Sequence, residues 1–199
     1  YDWFSGAQLG TNSGVFFMVN ATASNGRLCS FTVSGDTVNW GTTLSTSSLP
    51  TGSKIYKVSA SSFIGVNGGT VYVGTISAGV ITLGSGVGIG SDNSATKPSI
   101  SYMSDGLVLY VYAKNTTNTN FAMRAVSISG TTPTAGTEIV IGIGAQVAST
   151  KSVQKSATVA LVMANNKMYE VTISGTTIVS YPMKTKILNL SSNNVMEFV

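Results

Sequence analysis

Two of the seven carboxylates in this chain, Asp92 and Asp105, flank one inter-strand segment, and paired carboxylates are what glycoside hydrolysis requires. The reaction needs them roughly 5–10 Å apart, one of them in an apolar pocket. Both stand in turn contexts instead, Gly90-Ser91-Asp92-Asn93 and Ser104-Asp105-Gly106, where an aspartate bonds its own backbone. Turn structure is therefore the preferred reading of both. The Asp92-Asn93 turn also offers oxygen ligands for Ca²⁺, at a spacing that matches no known loop motif.

Other chemistries are closed by composition. There is no histidine, which removes Ser-His-Asp and Cys-His mechanisms and imidazole-based zinc sites. The single cysteine, Cys29, lies in a β-prone run and reads as a small buried apolar residue. The series Gly84-x-Gly86-x-Gly88-x-Gly90 is glycine-rich, but no helix follows to supply the dipole of a phosphate cradle, so it reads as a loop or outer strand. No metal or cofactor site is expected, and the chain reads as a non-enzyme.

Aromatic residues are the better lead. Trp40 and Tyr181 depart from an internal repeat at positions where its other copies carry small or aliphatic residues. They are the candidate ligand-binding residues. Flat indole and phenol faces stack on sugar rings, and neighbouring Asn, Ser and Thr side chains bond hydroxyls. The competing reading of Trp40, which the sequence favours slightly, is a filler between packed sheets. Tyr110 and Tyr112 sit in an apolar run and read as core, and Trp3 as an anchor of the N-terminal segment.

The repeat is carried by Phe31-Thr32-Val33-Ser34-Gly35, Gly74-Thr75-Ile76-Ser77-Ala78, Val126-Ser127-Ile128-Ser129-Gly130 and Val171-Thr172-Ile173-Ser174-Gly175. The serines stand 43, 52 and 45 residues apart. Seven residues past each comes Gly41, Gly84, Gly136 and then, breaking the pattern, Tyr181. A period of this length means one supersecondary unit copied along the chain.

Short apolar or alternating runs dominate, and helical periodicity is almost absent. The first unit offers Val15 to Asn20, Arg27 to Val33, Thr37 to Leu44 and Lys54 to Val58. The other units follow suit, with a weak run near Val153 and a last run, Val195 to Val199. The joins hold Asn, Asp and Gly, which tolerate the positive φ of tight hairpins. Each unit therefore reads as a four-stranded antiparallel meander. Its first run, such as Val15-Phe16-Phe17-Met18-Val19, is apolar on both faces and so buried on both sides. That is the pattern of a β-propeller blade. The expected fold is all-β, a propeller-like array in one repeat domain over 1–199, with units near 13–60, 61–105, 106–156 and 157–192. The segment 193–199 would start or close another unit. Tyr1 to Gly14 and Val195 to Val199 would complete one blade of a four-bladed ring, or the chain would belong to a larger propeller.

Segments such as Ser127-Ile128-Ser129-Gly130-Thr131-Thr132-Pro133-Thr134-Ala135-Gly136 resemble repeats of bacteriophage tail and tail-fibre proteins. The first two copies depart from that pattern, with Asp36-Thr37 and Ala78-Gly79. The resemblance implies a virion-surface module that binds host-surface glycan or serves assembly, partnered by other virion or tail proteins and by copies of itself. A bacterial or fungal surface lectin or adhesin is the alternative, and a carboxylate-dependent polysaccharide depolymerase the third reading.

Composition agrees with a surface location. Only 9% of residues are charged, against roughly 25% in an ordinary soluble domain. The net charge of +4 is scattered, without the basic stripe that nucleic-acid binding shows. No run approaches the roughly 18 apolar residues of a membrane span. The triplets at Asn20, Asn115 and Asn189 match glycosylation acceptors at the frequency expected by chance. The chain opens on Tyr-Asp-Trp-Phe without a signal peptide, and is expected to be processed or part of a longer protein.

Overall fold

A computed structural model describes residues 3–19, 25–90, 98–114, 119–143, 147, 150–165 and 167–186. The described residues form strands and turns, in four antiparallel sheets that match the expected all-β, propeller-like units.

The first sheet is β1 (Trp3–Gly10), β2 (Ser13–Val19), β3 (Gly26–Ser34) and β4 (Thr37–Thr46), in that order. The second is β5 (Lys54–Lys57), β6 (Ser62–Asn67), β7 (Thr70–Ser77) and β8 (Val80–Leu83), with β9 (Val87–Gly88) also pairing β7. The third is β10 (Ser99–Ser104), β11 (Leu107–Lys114), β12 (Asn120–Ser129) and β13 (Thr132–Ala135), with β14 (Ile139–Gly142) on β12. The fourth is β15 (Thr150–Ser156), β16 (Val159–Ala164), β17 (Lys167–Ser174) and β18 (Thr177–Ser180), with β19 (Met183–Lys186) on β17.

The strand pairing is phased one strand earlier than the sequence runs suggest. Lys54–Lys57, read as the last strand of a unit, pairs with β6 and opens the next sheet, and the weak run near Val153 opens the fourth. The doubly apolar runs are second strands, flanked on both sides by hydrogen-bonded neighbours. Hydropathy marks β2, β6, β11 and β16 as buried, but it does not say which neighbour in the chain pairs with them. The first sheet takes all four of its strands from residues 3–46, and Val195–Val199 lies outside the described residues.

In three sheets the outer strand is interrupted, at Gly84-Ser85-Gly86, at Gly136-Thr137-Glu138 and at Tyr181-Pro182, and both pieces pair with the third strand. Pro182 has no N–H to donate to the ladder. In the first sheet β4 runs unbroken and absorbs the irregularity as a bulge, where Gly41 and Thr42 together oppose Ser30. The glycine series, read as a loop or outer strand, is both: Val87–Gly88 forms β9 on β7, and Gly84, Gly86 and Gly90 lie outside the strands.

The chain divides into two compact units, Tyr1–Gly90 with Ile128–Thr134, and Ser91–Ser127 with Ala135–Val199. In the first, β2, β3, β6 and the β4–β5 connection enclose Phe17, Leu28, Leu49 and Phe63. Leu49 lies against Gly65, where a Cβ would come within 2.7 Å of its methyl carbon. In the second, Leu109, Phe121, Met123, Val162 and Val171 form the core. Tyr110 and Tyr112 are fully buried, as their setting predicts. Inner strands are tied by the same device in both units: a serine hydroxyl oxygen accepts a backbone N–H from the neighbouring sheet, Ser5 from Ile55 (3.0 Å) and Ser99 from Ser152 (2.9 Å).

Candidate functional site

A bulge in β4 stands at the edge of a cleft lined by β2, β3, β4 and the β7–β8 hairpin. Bulges re-aim side chains and strengthen the local twist. Here the bulge makes a seat for the β7–β8 hairpin of the adjacent sheet, which turns through Ala78 (φ +49°) and Gly79 (φ +80°). The Gly79 carbonyl oxygen accepts three hydrogen bonds from the first sheet. They come from the Ser30 hydroxyl (2.7 Å), the Thr42 hydroxyl (3.2 Å) and the Thr42 N–H (3.3 Å). Ser30 is only 4% exposed, so its hydroxyl must find a partner inside the protein.

Beside this seat stands Trp40, one residue before the bulge. It is 62% exposed, so the filler reading does not describe it. Its indole meets the cross-strand Phe31 ring edge to face, with centroids 5.9 Å apart and planes at 62°. Phe31 is held in turn by Gly14, where a Cβ would come within 2.6 Å of the ring. The indole is thus propped by an aromatic neighbour while much of its surface remains open to solvent.

The cleft measures about 450 Å³. Leu9 and Ile76 give it apolar surface, while Ser13, Thr32, Asn39 and Ser61 supply hydroxyl and amide groups around Trp40. Among the described residues no Asp, Glu, Lys or Arg lines it. A site of this make-up can stack a flat apolar face and exchange neutral hydrogen bonds. Among the described residues no carboxylate, imidazole or thiol lines it.

Of the two predicted binding residues, Trp40 lies in this cleft and Tyr181 does not. Tyr181 stands between β18 and β19 in the other unit, 42% exposed, next to exposed Val179 and Met183. Phe31, Ser61 and Ile76 escaped sequence reasoning, since they reach the site from β3, the β5–β6 connection and β7 and carry no local mark of it. The available signal was the Trp40-Gly41 pair, a bulky departure beside a repeated glycine.

The carboxylates are occupied differently. Asp105 accepts a hydrogen bond from the Tyr102 hydroxyl (2.9 Å), and that bond raises the Tyr102 pKa. Asp92 lies outside the described residues. Glu138 is bonded by the Tyr112 hydroxyl and the Lys114 ammonium, with Arg124 at 3.5 Å. Burial pushes the Glu138 carboxyl upward, but Lys114, Tyr112 and Arg124 together outweigh it and hold the pKa below the usual carboxylate value. Burial and the bond to Glu138 push the Tyr112 hydroxyl up to about 12. Glu170 pairs with Lys155 (2.7 Å) and Lys184 (3.5 Å). Cys29 is buried, as expected. Among the described residues no three His, Cys, Asp or Glu side chains gather as a metal site. No helix there is long and apolar enough to cross a membrane.

No protein-family model matches the chain, and no curated protein does. Among solved structures it is similar to a mutant of the Aleuria aurantia lectin in complex with Fucalpha1-6GlcNAc, at 11% identity and a TM-score of 0.45. The match covers 92% of this chain and 78% of that one.

Proposed function

We propose that this protein is a non-enzymatic carbohydrate-binding module that reads its ligand at the Trp40 cleft. The observation that carries this is one aromatic face, propped on Phe31 and open to solvent, set among neutral hydroxyl and amide groups. Sugar rings present the matching chemistry: an apolar face of C–H groups and a rim of hydroxyls. Aromatic residues bury a large area at low conformational cost, which suits a shallow site. Each contact is weak, and display in many copies on a surface raises the avidity without new contacts.

The low charge and the Ser-Gly-Thr-Thr segments support display on a virion or cell surface, where a tail-fibre or lectin-like protein would meet host glycans. An assembly role is the competing reading. A glycan array separates the two. Retention of defined glycans by the native chain, with loss in Trp40→Ala, is expected. An array on which the native chain retains nothing would leave the assembly role standing.

A further inference from the structure

The first sheet turns one face toward the second sheet and the other away from it. Cross-strand pairing puts Phe17 and Leu28, which belong to the core of the unit, on the inward face. The same register puts Phe4, Phe16, Met18, Phe31, Val38 and Trp40 on the outward one. Phe4 is 72% exposed and Val38 46%. Phe16 and Met18 of β2 are only half-buried there, whereas β6 is buried on both faces from Ser62 to Val66 and β11 from Val108 to Ala113.

The repeat defines what such a face receives. Four residues past the repeat serine stand Val38, Ile81, Pro133 and Ile178, all apolar, and only Val38 is exposed. Ile81 pairs across its hairpin with Ile76 and joins the core of Phe17 and Leu28 in the sheet before it, with Ile76 and Leu83 packed alongside. Val33, Val38 and Trp40 are the same three positions in the first sheet. The hairpins follow the same rule. Two residues past the serine, Gly79, Thr131 and Thr176 lie against Gly41, Gly84 and Gly136 of the preceding outer strand and are half-buried, while Asp36 is exposed.

We infer that the face bearing Phe4, Val38 and Trp40 is an interface for a further four-stranded sheet of this repeat, carried by a partner polypeptide with a glycine at the seat in its outer strand. Ser34-Gly35-Asp36 is the hairpin that enters that seat. In this chain the seats at Gly41, Gly84 and Gly136 are filled. The fourth outer strand has Tyr181 and Pro182 instead: a side chain where the hairpin must pass, and no N–H at the position from which Thr42 donates to the Gly79 carbonyl. A copy of this chain therefore offers no open seat, and the partner is a different polypeptide. Composition agrees. Aromatic residues, methionine and arginine are enriched at the core of protein interfaces, and lysine and carboxylates are depleted. Among the described residues Arg27 is the one charged side chain on this face. None of this requires the carbohydrate reading, and a docked sheet competes with a glycan for the Trp40 indole.

The test opens a seat on one full chain and asks whether another chain enters it. Val38→Lys/Tyr181→Gly/Pro182→Thr frees the fourth outer strand, whose sheet offers half-buried Val153, Leu161 and Met168 on one face, and disables that chain's own hairpin. Sedimentation velocity of an equimolar mixture with the native chain should show a one-to-one pair, about tenfold or more tighter than either chain pairs with itself. The same variant mixed with a Val38→Lys chain should form none. A melting curve establishes that each variant is folded; Val38→Lys/Tyr181→Gly, which keeps Pro182, replaces the triple variant if that one is not. Absence of a pair with a folded open-seat variant would overturn the docking role of the face. Equal pairing by native and Val38→Lys chains would overturn the part of the hairpin in it. Native chains that pair with one another, and lose that pairing in Val38→Lys, would overturn the bar at Tyr181 and Pro182.

Discussion

The Cα of Gly41 faces the carbonyl oxygen of Gly79 so closely that a Cβ built on Gly41 would lie 2.6 Å from that oxygen. The relationship recurs. A Cβ on Gly84 would lie 2.5 Å from the Thr131 carbonyl oxygen, and one on Gly136 would lie closer still to that of Thr176. Gly79, Thr131 and Thr176 each stand two residues past the repeat serine. The glycine seven residues past that serine is therefore the point where one sheet admits the hairpin of the next. Placing a larger side chain there forces the sheets apart. Gly41→Val should destabilise the protein by about 1–3 kcal/mol, as overpacking does, and should weaken ligand binding because the Trp40 cleft shares the displaced hairpin. Urea unfolding and titration of a retained glycan would check the two parts.

The Ser30 hydroxyl tests the same junction from the opposite side. Ser30→Ala removes one of three donors to the Gly79 carbonyl oxygen, which keeps Thr42. The expected cost is about 1 kcal/mol, the value of an ordinary internal hydrogen bond. Because Ser30 and Thr42 share an acceptor, the double substitution with Thr42→Ala should cost a different amount from the sum of the singles. A double-mutant cycle in urea measures the difference.

Binding and stability should separate at Trp40. Its indole is largely exposed and its packing rests mainly on Phe31, so Trp40→Ala should cost no more than about 1.5 kcal/mol of stability, the worth of an aromatic pair. Glycan retention should nevertheless be lost. Trp40→Phe keeps a smaller flat ring and should retain part of the affinity. A thermal melt beside the glycan array distinguishes a lost contact from a lost fold.

Glu138 should make the stability depend on acid. Its pKa is lower in the folded protein than its ordinary 4.5, so the ionised form is favoured by folding. That contribution is present above the ordinary value and is lost as the pH falls through the folded value. Glu138→Gln should therefore flatten the acid limb of a stability profile measured by urea unfolding between pH 6 and about 2. On the alkaline side the Tyr112 hydroxyl acts in the opposite sense. Its contribution is present below the ordinary 10.0 and is lost as the pH rises through about 12, and Tyr112→Phe should remove it.

The hairpins were the most legible part of the chain. Gly35, Gly68, Gly106, Gly130 and Gly175 all have positive φ, and all sit in turns that their neighbours announce. Strand alternation was legible for the same reason, since both signals act over a few residues. The phase of the sheets was not, because an apolar run such as Phe63–Val66 looks the same whichever flanking run pairs with it. Tyr181 was legible as a departure from the repeat, and the contact made by the glycines it replaces was not.

The sequence by itself determined an all-β chain of copied meanders, with no imidazole and little charge, and an indole at a singular position. Tertiary structure alone decided that the repeated glycine is a docking point between sheets and that Trp40 stands open beside a cleft. The reason is range. Turn preference and alternation are written in adjacent residues, whereas the bond from Ser30 to Gly79 joins groups 49 residues apart, and neither residue announces the other.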